Sequence, residues 1–190
     1  KGGVETGQAY RAKIFRDLGL EAKFVFTTTF PDQNIQHETA YLRFQDSEVI
    51  WMYGFFSDCK ISPVTYTLEQ LEKTFEERNY TFSRDGSTVT YHFPDLGVYY
   101  KVYMTDEKNE FVHRVVMVSG GCLIRKDYYT YCRICSEYYA PVNGQASLYL
   151  RRFFNEDGSV AYEEIVEGDT AFYKFPDRML YSREELLAQL

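Results

Sequence analysis

Between Tyr80 and Phe93 the chain reads Tyr80-Thr-Phe-Ser-Arg-Asp85-Gly86-Ser-Thr88-Val-Thr-Tyr-His-Phe93, and this segment sets the architecture. The residues on either side of Asp85-Gly86 follow a period of two, and that pair suits the positive φ of a tight hairpin turn. The same pattern then repeats. Segments 98–104 and 111–118 flank the polar run 105–110, and Gly120-Gly121 separates the second of them from 122–128. Further candidates lie at 131–139, 146–154, 159–166 and 171–175, divided by Pro141-Val-Asn-Gly144, Asn155-Glu-Asp-Gly158 and Glu167-Gly-Asp169. Short strands joined by turn signals predict an antiparallel meander of about eight strands across 79–177.

The composition agrees with a β-rich chain. Eighteen Tyr and fifteen Phe raise the aromatic share to 18%, and such side chains favour a pleated, half-buried surface. With 28 acidic against 21 basic residues the formal charge is −7, which argues against nucleic acid or an anionic membrane surface as the main partner. The sequence holds no apolar run of membrane-spanning length and opens on no secretory pattern, so the expected compartment is the cytoplasm.

Cys59, Cys122, Cys132 and Cys135 are too few and too irregular for a disulfide framework and are expected as reduced thiols. Cys132-Arg-Ile-Cys135 has the bare CxxC spacing. A zinc site needs a second ligand pair, and in a strand the two thiols face opposite sides. No metal is expected. His37, His92 and His113 have no spacing that would gather two imidazoles on one helical face.

Before the meander, Gly2-Gly3-Val4-Glu5 opens a predicted helix to about Leu18, with Val4, Ala9, Ala12, Ile14, Phe15 and Leu18 as its apolar face. Gly19 stops it, and a strand is predicted at 24–28. A glycine pair at a helix N-terminus either lets backbone amides approach a phosphate or simply makes a tight turn. Residues 49–53, Val-Ile-Trp-Met-Tyr, fit a buried strand or a short buried helix equally well. Thr67-Leu-Glu-Gln70 and Ser182-Arg-Glu-Glu185 have the form of capping boxes, predicting one helix that fades near Arg78 and another running to Leu190. The fold class is therefore α+β, a broad antiparallel β-meander sheet inserted into an incomplete Rossmann-like α/β half-domain. The expected divisions are 1–33 as part of that half-domain, 34–78 as a mixed connecting region, 79–177 as the sheet, and 178–190 as the start of a returning helix.

Four blocks carry a family resemblance. They are residues 2–20, opening Gly-Gly-Val-Glu-Thr-Gly-Gln; Asn34-Ile-Gln-His37; Leu123-Ile-Arg-Lys-Asp-Tyr128; and Cys135-Ser-Glu-Tyr-Tyr-Ala-Pro141. Over nearly its whole length the chain resembles the N-terminal part of retaining, family 4 GT-B glycosyltransferases. The accessory-Sec glycosyltransferase A family, whose members modify serine-rich adhesins, is especially similar, and the teichoic-acid enzymes of the TarM type share the organisation. The resemblance implies an extended β-sheet domain inserted in the first Rossmann-like domain, used for acceptor binding or partner association.

It further implies UDP-N-acetylglucosamine as donor substrate with no cofactor, and a donor-nucleotide loop at Gly3, Val4, Glu5 and Thr6. His37 falls in a matching block and is a candidate for lining the cleft. By the same resemblance the chain lacks the strand before Lys1 and the second Rossmann domain, so no catalytic residue is assigned and the chain alone is expected to be inactive. The implied partners are a serine-rich protein acceptor or a glycopolymer, and a second copy or homologous subunit. Any peripheral membrane contact would belong to the parent complex. Arg125, Lys126, Arg133, Arg151 and Arg152 bear on the choice of acceptor: a polyanionic wall polymer such as poly(ribitol phosphate) requires them to share one exposed face.

Overall fold

The computed structural model describes residues 3–29, 34–77, 79–108 and 110–190, with side chains described from residue 6 onward. Helix α1 (Gly3–Asp17), strand β1 (Phe24–Phe26), helix α2 (Ile35–Tyr41) and strand β2 (Val49–Trp51) form the first part. β1 and β2 pair in parallel, Phe24 opposite Val49 and Phe26 opposite Trp51, and α2 lies in the crossover that parallel neighbours require. The strand 24–28 ends two residues early, at Phe26.

Of the two alternatives for residues 49–53, the strand is the one that forms, and only over its first three residues. Three extend as β2, and then the Met52 N–H bonds the Phe26 carbonyl while the amides of Gly54 and Phe55 fold back on the Trp51 carbonyl, each at 3.0 Å. The extended run becomes a turn.

α1 stops in a Schellman arrangement, with Leu20 N–H on the Phe15 carbonyl at 2.8 Å and Gly19 at φ +68°. Its buried face is narrower than the sequence predicts. Ala12 is buried with Phe44 and Val49, and Ala9 packs beside them, but Ile14 is 38% and Leu18 66% exposed. The small alanines set the contact with the rest of the cluster. Tyr10, Ile14 and Leu18, spaced by four, form a second stripe facing outward. Val4 lies outside the described side chains.

Helix α3 (Leu68–Lys73) starts with the predicted capping box: Gln70 N–H donates to Thr67 Oγ1 at 3.1 Å and Thr67 N–H to Gln70 Oε1 at 2.8 Å. It ends well before Arg78, which lies outside the described residues. The Thr74 hydroxyl donates to the Leu71 carbonyl at 2.7 Å, and Phe75 then turns into the core.

The sheet contains ten strands rather than about eight. In chain order they are β3 (Thr81–Asp85), β4 (Thr88–Phe93), β5 (Val98–Met104), β6 (Val112–Ser119), β7 (Cys122–Tyr129), β8 (Arg133–Val142), β9 (Gln145–Phe154), β10 (Val160–Glu167), β11 (Thr170–Lys174) and β12 (Met179–Leu180). Every strand is hydrogen-bonded to its sequence neighbour, so the order is a pure meander. β12 is too short to show a period in the sequence.

Register shows how the core is arranged, because directly paired residues point to the same face. One row runs Val89, Val102, Val115, Asp127, Ser136, Arg152, Glu163, Lys174. It is buried at its β4 end and exposed at its β11 end. The row one residue along runs Thr90, Lys101, Val116, Lys126, Glu137, Arg151, Glu164, Tyr173, Leu180, on the other face, and its burial is reversed. The sheet therefore carries two cores on opposite faces. The first packs Leu71 and Phe75 against Val89, Tyr91, Phe93, Val102 and Val115. The second packs Trp51, Met52 and Tyr53 against Phe153, Tyr162, Tyr173 and Phe175. Where they change over, at β7 and β8, buried positions are filled by Asp127, Ser136 and Glu137.

The chain then returns to its starting point. Helix α4 (Arg183–Leu187) ends short of Leu190, and its wholly buried Leu186 joins the second core alongside Trp51 and Met52. Ser182 Oγ accepts from Glu185 N–H at 3.1 Å, but the Glu185 carboxylate accepts from Tyr181 N–H at 2.7 Å, one residue further back than a capping box requires. Arg183 donates to the Thr27 carbonyl just past β1. Entry and exit of the sheet thus meet on one βαβ unit, the geometry of an insertion.

Candidate functional site

A concavity of 680 Å³ opens on the face of the first core where that core gives out toward β8. α3 and the segment after it supply one wall, with Phe75, Glu76 and Glu77. The β9–β10 hairpin supplies the opposite wall with residues 155–158, and the floor comes from Tyr100 on β5 and Arg125, Asp127 and Tyr129 on β7. Tyr66 stacks on Tyr129 with ring centroids 4.6 Å apart and planes at 24°.

The floor is held in place. Asp127 accepts from Arg125 at 3.0 Å and from the Ser136 hydroxyl at 2.5 Å, so its carboxylate is fixed although wholly buried. Among the described residues Arg125 Nε has no hydrogen-bond partner. Arg133, at the rim, lies with its guanidinium carbon 4.2 Å from the Phe154 ring centroid. Burial raises the pKa values of Tyr66, Tyr100 and Tyr129, and Asp127 adds to the effect at Tyr129, so these phenols stay protonated at neutral pH. The groove presents flat aromatic faces and polar atoms held in fixed positions.

The five basic residues named from the sequence divide between the two faces. Arg125 and Arg152 point to the first, whereas Lys126 and Arg151 point to the second. Four are ion-paired: Arg125 with Asp127, Lys126 with Glu137 at 4.0 Å, Arg152 with Glu163 at 2.7 Å, and Arg151 with Glu137 at 2.9 Å and Glu164 at 2.6 Å. They form no common basic surface.

Glu137 is the centre of the second face. Burial opposes its charge, but hydrogen bonds from Tyr139, Arg151 and Tyr128 together with the Arg151 charge hold its carboxyl below the usual range. Tyr128 and Tyr139 are pushed up by burial and by Glu137.

His37 lines a second cleft of 470 Å³ between the start of α2 and the β5–β6 hairpin, together with His113, Arg114 and Tyr103. Arg114 lies 4.6 Å from the Tyr103 ring centroid. The structure therefore brings His37 and His113 to one cleft, while His92 stacks on Tyr99 at 4.3 Å elsewhere on the sheet. Gly3, Val4, Glu5 and Thr6 form the first turn of α1. The CxxC spacing joins no site: Cys132 precedes β8 and sits 3.7 Å from Cys59, whereas Cys135 is buried in the second core. No group of three His, Cys, Asp or Glu that could hold a metal occurs among the described residues, and no described helix is long and apolar enough to cross a membrane.

Tyr66, Tyr100, Tyr129 and the Arg125–Asp127 pair were not singled out together by the sequence. Alternation gives each residue's parity within its strand, but uniting them needs the inter-strand register, which shifts between Met117 and Val118 and again between Tyr128 and Tyr129.

A ten-stranded meander that leaves a parallel βαβ unit and returns to it defines an extended β-sheet domain. The chain belongs to the family of the GtfA extended beta-sheet domain, whose profile matches residues 81–177. The UDP-N-acetylglucosamine--peptide N-acetylglucosaminyltransferase GtfA subunit of Streptococcus agalactiae is 45% identical over 188 residues, covering 99% of this chain and 37% of that protein. The solved pneumococcal O-GlcNAc transferase GtfA in complex with UDP and GlcNAc superposes with a TM-score of 0.92 at 38% identity, over 100% of this chain and 38% of that one. A solved GtfA/B complex gives a TM-score of 0.91 at 44% identity, again over 100% of this chain and 38% of its counterpart. The chain thus spans about 37% of the length of the curated relative.

Proposed function

We propose that this chain is the acceptor-recognition and assembly portion of a cytoplasmic glycosyltransferase that moves N-acetylglucosamine from UDP to Ser or Thr hydroxyls of a protein, with serine-rich adhesin-type polypeptides as acceptors. The groove between α3 and the β9–β10 hairpin carries the reading. An extended polypeptide needs aromatic faces to lie on and polar atoms to satisfy its backbone, and Tyr66, Tyr100 and Arg125 offer both, held in place by the buried Tyr129 and Asp127. A wall-polymer acceptor is disfavoured because the basic residues are split between faces and four of them are ion-paired.

Titration with a Ser/Thr-rich peptide and its N-acetylglucosaminylated form is expected to give weak, saturable binding, lost in Tyr100→Ala. A folded chain that binds neither peptide contradicts the acceptor role.

For the donor, Gly3–Thr6 in the first turn of α1 is proposed as one wall of the UDP site of the full-length protein, with His37 lining the cleft toward the acceptor. Free amides at a helix start suit a diphosphate, and a side chain at Gly3 would occupy the approach. Gly3→Leu in the full-length protein is expected to impair use of UDP-N-acetylglucosamine while leaving the sheet folded, as read by steady-state kinetics and circular dichroism. Unchanged kinetics would reduce the glycines to turn residues.

An assembly role also has a specific support. β3 is an edge strand exposed at all five residues, with Phe82 68% exposed, and such an edge invites another strand or subunit. Sedimentation over a wide concentration range distinguishes self-association, and mixing with a homologous subunit distinguishes a heteromeric partner.

A further inference from the structure

We propose that Cys59 and Cys132 are a redox modification site, a thiol pair that peroxide converts to a reversible disulfide tying the connecting segment to the sheet. Their sulfurs lie 3.7 Å apart although 73 residues separate them in sequence. Both sit in irregular backbone, Cys59 after the turn that follows β2 and Cys132 in the turn before β8. Neither is locked in a strand ladder, so modest side-chain and loop adjustments bring the sulfurs to the bonding separation of about 2 Å.

The surroundings mark this point as a junction of three loops. Lys60 N–H donates to the Tyr131 hydroxyl at 2.9 Å, and Tyr131 in turn donates to Glu156. Glu156 N–H donates to Asp58 at 2.7 Å, and the Cys59 thiol donates to the Phe154 carbonyl at 3.3 Å. Cys59 lines a small cavity of 210 Å³, and Cys132 lines the 680 Å³ groove, so the pair occupies the wall between two concavities and both thiols are only half-buried. A small oxidant has access from either side.

The chemistry balances with hydrogen peroxide as oxidant. The Cys59 thiolate attacks one peroxide oxygen, the O–O bond breaks, and hydroxide leaves, giving the sulfenic acid at Cys59. The Cys132 thiol then attacks the Cys59 sulfur and displaces the sulfenic oxygen, which leaves as water with the Cys132 proton, while the proton that Cys59 lost on forming the thiolate neutralises the hydroxide. Overall, two thiols and one peroxide become one disulfide and two waters. The contact from Cys132 lowers the Cys59 pKa, although burial and the Asp58 and Glu156 charges oppose it, while that contact and burial raise Cys132.

The other two thiols serve as internal controls: Cys122 is exposed and has no thiol partner among the described residues, and Cys135 is wholly buried. The chain is treated with hydrogen peroxide without reductant, alkylated, and mapped under non-reducing conditions. The expected result is a 59–132 cross-link that dithiothreitol reverses, that survives Cys122→Ser, and that raises the thermal midpoint of the otherwise unmodified chain. Cys59→Ser and Cys132→Ser each abolish it. Mapping the wild-type chain alone suffices if either variant fails to fold. Cys59 and Cys132 remaining alkylatable after Cys122 is oxidised, sulfinic acid at Cys59 without a cross-link, or a bond from either cysteine to Cys135 would each overturn the proposal.

Discussion

Arg151→Met is expected to destabilise the fold by about 3–5 kcal/mol, because it leaves two buried carboxylates facing each other without their shared cation. Glu137 and Glu164 are both buried, and Arg151 reaches one through Nε at 2.9 Å and the other through its terminal nitrogen at 2.6 Å. The guanidinium therefore supplies two charge-assisted hydrogen bonds in a site where water cannot substitute. Adding Glu137→Gln and Glu164→Gln to Arg151→Met should recover much of the loss, since neutral amides remove the repulsion. Urea midpoints across the series measure it, and an Arg151→Met chain as stable as the parent would show that the network is solvated.

The same site gives a pH dependence. Because the folded-state pKa of Glu137 is depressed, its contribution is present above the ordinary glutamate value, roughly 4.3, and is lost as pH falls through the folded value. Tyr128 and Tyr139 are shifted upward, so their contribution is present below the ordinary phenol value of about 10 and fails as pH rises beyond it.

Tyr162→Ala is expected to cost about 3–5 kcal/mol, and Tyr162→Phe about 1–3 kcal/mol. The ring lies between Phe153, 4.5 Å away at 5°, and Phe175, 5.0 Å away at 12°, with Phe56 edge-on at 5.8 Å. Its hydroxyl donates to the Tyr53 carbonyl at 2.7 Å inside the core that joins the sheet to β2. Truncation to alanine opens a cavity among three rings, whereas phenylalanine keeps the packing and leaves one carbonyl without its donor. Equal losses for the two variants would locate the stability in the hydroxyl alone.

The meander was visible in the sequence because its turns are chemically marked: Asp85-Gly86, Gly120-Gly121 and Asn143-Gly144 fall where the backbone needs positive φ, and Gly86, Gly120, Gly121, Asn143 and Gly144 all adopt it. The family resemblance of the four blocks likewise agreed with the GtfA match. The inversion of the core was not visible. Asp127, Ser136 and Glu137 look like wet sheet residues until the register places them at the changeover between faces, where ion pairs and hydroxyls satisfy them. Six apolar positions promised a broad buried face on α1, yet composition does not tell which apolar stripe a helix turns inward, and here the alanines face the cluster while Ile14 and Leu18 face out. The groove depends on both effects, since it lies where one core ends and a hairpin from the other half of the sheet closes over it.

Amide hydrogen exchange of the chain with and without a Ser/Thr-rich peptide tests the acceptor reading most directly. Binding in the groove should slow exchange around Tyr66, Tyr100, residues 125–133 and the 155–158 hairpin, with little change at the exposed β3 edge or around His37. Slowing confined to β3 or to the His37 cleft, with the groove unchanged at saturating peptide, would contradict it.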